Sequence, residues 1–124
     1  MTVNEALIQT DRYIPNRIDE REKLLWLSRV ESRIIDEVHS RYPELVRSEE
    51  FTGITADDKE RQLCVPMPYD ELYVHFLAAE IQLRLHEQRH YNNEVFLYNS
   101  LLKDYKIMLN RRYRPDGIRR YKVR

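Results

Sequence analysis

Two glycines in 124 residues leave this chain without the material for a glycine-rich phosphate loop or a flexible linker. Cys64 is the only cysteine, so an internal disulfide is excluded, which suits a reducing compartment. With Val65 beside it and no histidine close in sequence, Cys64 reads as a small buried apolar residue. No apolar run approaches the roughly 20 residues that a bilayer-spanning helix needs. The start carries Glu5 and Asp11 and lacks a basic segment followed by an apolar one, so no secretory leader is expected. Five prolines, at 15, 43, 66, 68 and 115, punctuate the chain. What is present is 42% hydrophobic and 34% charged residues, the composition of one globular domain with a modest core and a strongly charged surface.

The net charge is zero but unevenly spread. Residues 111–124 hold seven basic residues (Arg111, Arg112, Arg114, Arg119, Arg120, Lys122, Arg124) against Asp116, a net of +6. Residues 1–110 hold fourteen basic against twenty acidic groups, a net of −6. Such a tail reads as a solvated terminus, as a phosphate-contacting segment with Tyr113 and Tyr121 for stacking, or as an arm that orders on an acidic protein partner.

The pattern is helical throughout. Thr2 with Glu5 forms a capping box that predicts a helix over 3–11, stopped before Pro15. Asp19 with Glu22 opens a helix over 19–41, whose apolar positions Leu24, Leu27, Val30, Ile34, Val38 and Tyr42 keep helical spacing up to Pro43. Residues 44–65 lack that period and read as an excursion, with a short strand expected near Leu63–Val65. Two more helices are predicted over 69–89 and 92–112, ending before Pro115-Asp116-Gly117. The expected core combines Leu27, Val30, Ile34, Leu72, Phe76, Leu83, Leu102 and Tyr105, with Trp26 as a packing anchor.

The last helix carries two series at coiled-coil spacing, Tyr91–Tyr98–Tyr105 and Val95–Leu102–Leu109. Leu97, Leu101 and Met108 widen that face, while Phe96 and Ile107 fall on another side. One reading of this surface is a broad core stripe. The alternative reading is that part of it meets a neighbouring subunit, with Tyr91, Phe96, Leu97, Tyr98 and Ile107 as interface candidates, since tyrosine tolerates half-wet contacts.

One enzyme motif stands out. His86-Glu87-Gln88-Arg89-His90 matches H-E-x-x-H, in which two histidines one helical turn apart bind zinc and the glutamate acts as general base. Against it, Gln88 and Arg89 suit a solvated surface, Asp104 is the nearest downstream carboxylate for a third ligand, and no second lobe exists to form a cleft. The expectation is therefore no metal, no cofactor and no catalysis. His39 and His75 read as structural histidines on helices.

The segment Val65-Pro66-Met67-Pro68-Tyr69-Asp70-Glu71-Leu72-Tyr73 is a sharp junction. Its prolines hold the backbone extended, and Asp70 and Glu71 then favour a helix start. Together with Tyr13-Ile14-Pro15-Asn16, Lys23 to Ser28, Ile34 to Glu37, Glu87, Tyr91-Asn92-Asn93 and the aromatic helix ending Asn110-Arg111-Arg112, it resembles the head–tail connector (adaptor) proteins of long-tailed bacteriophages and prophages. The resemblance covers most of residues 1–112 in order, and Pro-Tyr-Asp-Glu-Leu-Tyr is its most specific run. Residues 44–62 and the tail match less.

The resemblance implies an all-α, four-helix bundle-like domain over 1–112 and a basic arm over 113–124. It implies a structural virion protein that forms a twelve-subunit ring beneath the portal protein, extends the DNA channel and supports a stopper or tail-completion protein. Ring closure is head-to-tail, so each subunit offers two different surfaces. The arm, through Arg111, Arg112, Arg114, Arg119, Arg120, Lys122 and Arg124, is expected to dock on the portal. Localisation follows as the virion neck, and the host cytoplasm during assembly, with no membrane. The alternative is a small helical nucleic-acid-binding protein that uses the basic tail, with a zinc hydrolase third.

Overall fold

The computed structural model describes residues 1–113. Four helices carry the fold: α1 (Val3–Tyr13), α2 (Glu20–Glu37), α3 (Glu71–Arg84) and α4 (Gln88–Arg112). No strand occurs among the described residues, and the expected all-α, four-helix architecture is what forms.

The N-terminal capping box closes as the spacing required. Thr2 Oγ1 accepts from the Glu5 amide at 3.1 Å and the Glu5 carboxylate accepts from the Thr2 amide at 2.9 Å. Asp19 caps α2 by accepting from the Arg21 amide at 3.2 Å. Leu24, Leu27, Val30 and Ile34 then face the core. The α-helix ends at Glu37 rather than 41, and the chain continues in two 3₁₀ turns, His39–Arg41 and Pro43–Leu45. Proline at 43 disfavours helical φ/ψ at Tyr42, whose backbone is extended, so the α pattern cannot run on through it.

Residues 46–70 form an irregular connection with one 3₁₀ turn at Ala56–Asp58. Ile54, Leu63 and Val65 anchor it in the core. The strand expected near Leu63–Val65 is reduced to a single antiparallel bridge between Thr2 and Gln62. The Leu63 amide donates to the Met1 carbonyl at 2.9 Å and the Val3 amide to the Arg61 carbonyl at 3.0 Å. Gly53 has φ +114°, a conformation open to glycine, and directs Ile54 so that its amide meets Ser28 Oγ at 2.8 Å.

α3 is the central element. Leu72, Tyr73, Leu77, Ala78 and Ile81 are buried, and it packs on α1, α2 and, most extensively, α4. A helix that is apolar nearly all round belongs in the middle of a small domain.

Two corrections concern its end. The helix stops at Arg84, not 89, in a Schellman cap: the Glu87 amide donates to the Gln82 carbonyl at 3.0 Å and the His86 amide to the Leu83 carbonyl at 3.2 Å. His86 takes the left-handed position at φ +59° where glycine is usual. Leu83, expected in the core, is 43% exposed in this last turn, while Phe76 and Leu102 are only partly buried. α4 consequently starts four residues early, at Gln88.

Candidate functional site

The turn at His86 between α3 and α4 disposes of the H-E-x-x-H geometry. His86 lies in the turn, Glu87 is the cap of α4 and His90 sits in the first turn of α4, so the two histidines do not share a helical face. Among the described residues, no group of three or more His, Cys, Asp and Glu side chains is placed to hold a metal ion.

The interface candidates divide by helical position on α4. Phe96, 66% exposed, and Ile107, 40% exposed, lie eleven residues apart and therefore on one outer stripe, with the exposed Lys103 between them. Tyr91 and Leu97 are half-buried. Tyr98 is buried in the monomer, its ring packed on Phe76 with centroids 5.4 Å apart, so it belongs to the core face and not to the outer stripe. Tyr105 and Leu109 continue that core face. Of the basic arm, Arg111 and Arg112 are exposed on the last turn of α4, whereas Arg114, Arg119, Arg120, Lys122 and Arg124 lie outside the described residues.

Two buried carboxylates organise the interior. Glu31 on α2 is 1% exposed. Its Oε1 accepts from the Tyr73 hydroxyl at 2.6 Å and the Cys64 thiol at 3.1 Å, and its Oε2 accepts from the Cys64 amide at 2.8 Å. The Tyr73 hydroxyl in turn accepts from the Val65 amide at 3.0 Å. Burial, with the Glu31 charge beside it, pushes the Cys64 thiol well up, so Cys64 is an unreactive donor rather than a nucleophile or a plain apolar filler.

Glu94 on α4 is 4% exposed and ties three helices together. It accepts from the Tyr13 hydroxyl of α1 at 2.7 Å and from His75 Nδ1 of α3 at 2.7 Å. The Tyr13 and His75 rings meet edge to face, with centroids 5.7 Å apart. The hydrogen bond to Glu94, with burial second, pushes the Tyr13 hydroxyl up to about 12. His75 and Tyr13 face a cleft of about 470 Å³ that Arg12 and Gln9 also line. A histidine oriented by a carboxylate is half of an acid–base machine. Here the carboxylate also holds a tyrosine of another helix, which is what a structural clamp requires.

Neither glutamate was singled out from sequence, although a signal existed. Glu31, four residues after Leu27 and three before Ile34, shares their helix face, and Glu94, three after Tyr91 and four before Tyr98, shares theirs. A charge at a core position of an amphipathic helix must find buried donors.

No protein-family model, no curated protein and no solved structure matches this chain.

Proposed function

We propose that this chain is a head–tail adaptor: a structural subunit that forms a ring beneath a phage portal, extends the DNA channel and receives the stopper or tail. Two things support the reading. One is the ordered set of short motifs from Tyr13 to Arg112 described above. The other, which carries most weight, is the outer stripe of α4, where Phe96 and Ile107 stand in solvent on a helix whose opposite face already fills the core.

A large aromatic left that exposed on a long rigid helix suits a protein contact. A head-to-tail ring needs a second, different surface. Exposed Leu25 on α2, beside a shallow cleft bordered by Leu24, Ile54 and Ala56, offers one. The basic residues Arg111 and Arg112 then continue toward the arm that contacts the portal.

The test is assembly on portal-bearing, DNA-filled heads. Wild-type chain should join tails to heads. Phe96→Glu combined with Ile107→Glu should stay folded and monomeric and leave heads tailless. Removing residues 114–124 should also leave heads tailless. Normal tail joining by the double glutamate variant sinks the ring surface. Tight, salt-dependent DNA binding by the isolated chain, with no assembly, favours the nucleic-acid alternative instead.

A further inference from the structure

A cleft of about 360 Å³ lies where α2, α3 and α4 meet. Arg29 and Arg33 of α2, Phe76 and Glu80 of α3, and Tyr91, Tyr98 and Asn99 of α4 line it. The two arginines are exposed and one helical turn apart. Among the described residues neither enters an ion pair, whereas Glu80 in the same lining is bridged to Arg84 at 2.7 Å.

Tyr98 supplies the second observation. It is only 8% exposed, and its hydroxyl is enclosed without a hydrogen-bond partner among the described residues. Every other buried side-chain nitrogen or oxygen in that set has a partner. Leaving a hydroxyl unpaired is costly, and phenylalanine would fill the same space without that cost. Burial raises the pKa of that hydroxyl, and the Arg33 charge opposes the shift.

We infer that this cleft is a carboxylate socket that receives an aspartate or glutamate side chain from an acidic segment of a partner protein. Two guanidinium forks match a carboxylate. The aromatic walls, Phe76 and Tyr91, take the apolar stem and neighbouring side chains. Charge separates this occupant from nucleic acid. Glu80 lies in the same lining, bridged to Arg84, so a phosphate chain laid along the cleft would meet its carboxylate, whereas a single carboxylate can seat on the two arginines. The socket is independent of the ring reading, since its residues differ from the outer stripe of α4.

The experiment is a two-dimensional NMR titration of the full chain with the capped peptide Ala-Leu-Glu-Leu-Ala, its glutamine counterpart, sodium acetate and a thymidine dinucleotide. The glutamate peptide should shift the signals of residues 29, 33, 98 and 99 and bind about tenfold or more tightly than the glutamine peptide. Arg33→Ala, on an exposed position that leaves the fold intact, should remove about tenfold of that affinity, and Arg29→Ala a similar amount. Tyr98→Phe should melt no lower than wild type yet bind about threefold more weakly. Equal binding of the glutamine peptide overturns the proposal, as does acetate binding as tightly as the peptide, which marks a small-anion site. Tighter binding of the dinucleotide overturns it in favour of phosphate. Unchanged affinity in Tyr98→Phe removes the hydroxyl from the socket.

Discussion

The α3–α4 hairpin and the connection between α2 and α3 are held by different forces. The hairpin is mainly an apolar construction: Leu72, Leu77 and Ile81 of α3 share one core cluster with Tyr98, Tyr105 and Leu109 of α4, with a polar tie from Glu94 to His75, and its helices satisfy their own backbone groups. The connection over residues 46–70 has three buried apolar anchors, Ile54, Leu63 and Val65. It borrows hydrogen bonds from α2, from Ser28 at one end and Glu31 at the other. Irregular backbone pairs with itself only at its turns, so the amides of Ile54, Cys64 and Val65 take acceptors supplied by side chains. One region is stabilised chiefly by buried area, the other leans on a few polar groups that have no substitutes.

The largest expected effect tests that dependence. Glu31→Ala strands the Tyr73 hydroxyl and the Cys64 amide at once and should cost about 4 kcal/mol. The loss should be local first: amide exchange at Cys64 and Val65 should speed up before the helices lose protection. Uniform loss of protection across all four helices breaks the comparison. Leu109→Ala, on the apolar side, should cost about 3 kcal/mol by opening a cavity and should lower protection of α3 and α4 together. Leu83→Ala, 43% exposed, should cost well under about 1 kcal/mol and so separates burial from mere membership of the hairpin. Urea unfolding midpoints and exchange rates read all three.

The same contrast explains what sequence could disclose. Helices α1 and α2 were legible because a capping box or an acidic cap stood before an apolar period, and both signals are local. The irregular nature of 44–65 was legible as the loss of that period. The turn between α3 and α4 was not. No glycine or proline lies between Pro68 and Pro115, and Leu83 and Leu85 continue the helical pattern through the true end. The turn is imposed by packing α4 back on α3, with His86 forced into the left-handed conformation. The outer stripe of Phe96 and Ile107 was legible by spacing. Tyr98, seven residues before Tyr105, turns inward with it, while Tyr91 at the head of the same series stays half-buried, so the spacing alone does not separate core from surface. The cleft at Arg29, Arg33 and Tyr98 was illegible because it unites three helices.

The smallest effect sharpens the comparison where the two regions touch. His39, just beyond α2, is buried, and its Nε2 lies 2.6 Å from the Tyr105 hydroxyl of α4, with the rings edge to face at 5.8 Å. Burial, with the Arg47 charge of the connection second, holds the His39 pKa below its ordinary 6.5. The folded chain therefore keeps His39 neutral at a pH where the unfolded chain already binds a proton. That contribution to stability is fully present above about pH 6.5 and declines as the pH falls below it. Wild type should lose more stability than His39→Gln between pH 7.5 and 5.5, in urea unfolding followed by circular dichroism. Arg47→Ala should shrink the wild-type loss, because it removes the second cause while leaving the first. Parallel losses in wild type and His39→Gln assign the acid sensitivity to other groups, and an unchanged loss in Arg47→Ala shows that the connection exerts no field on the helices.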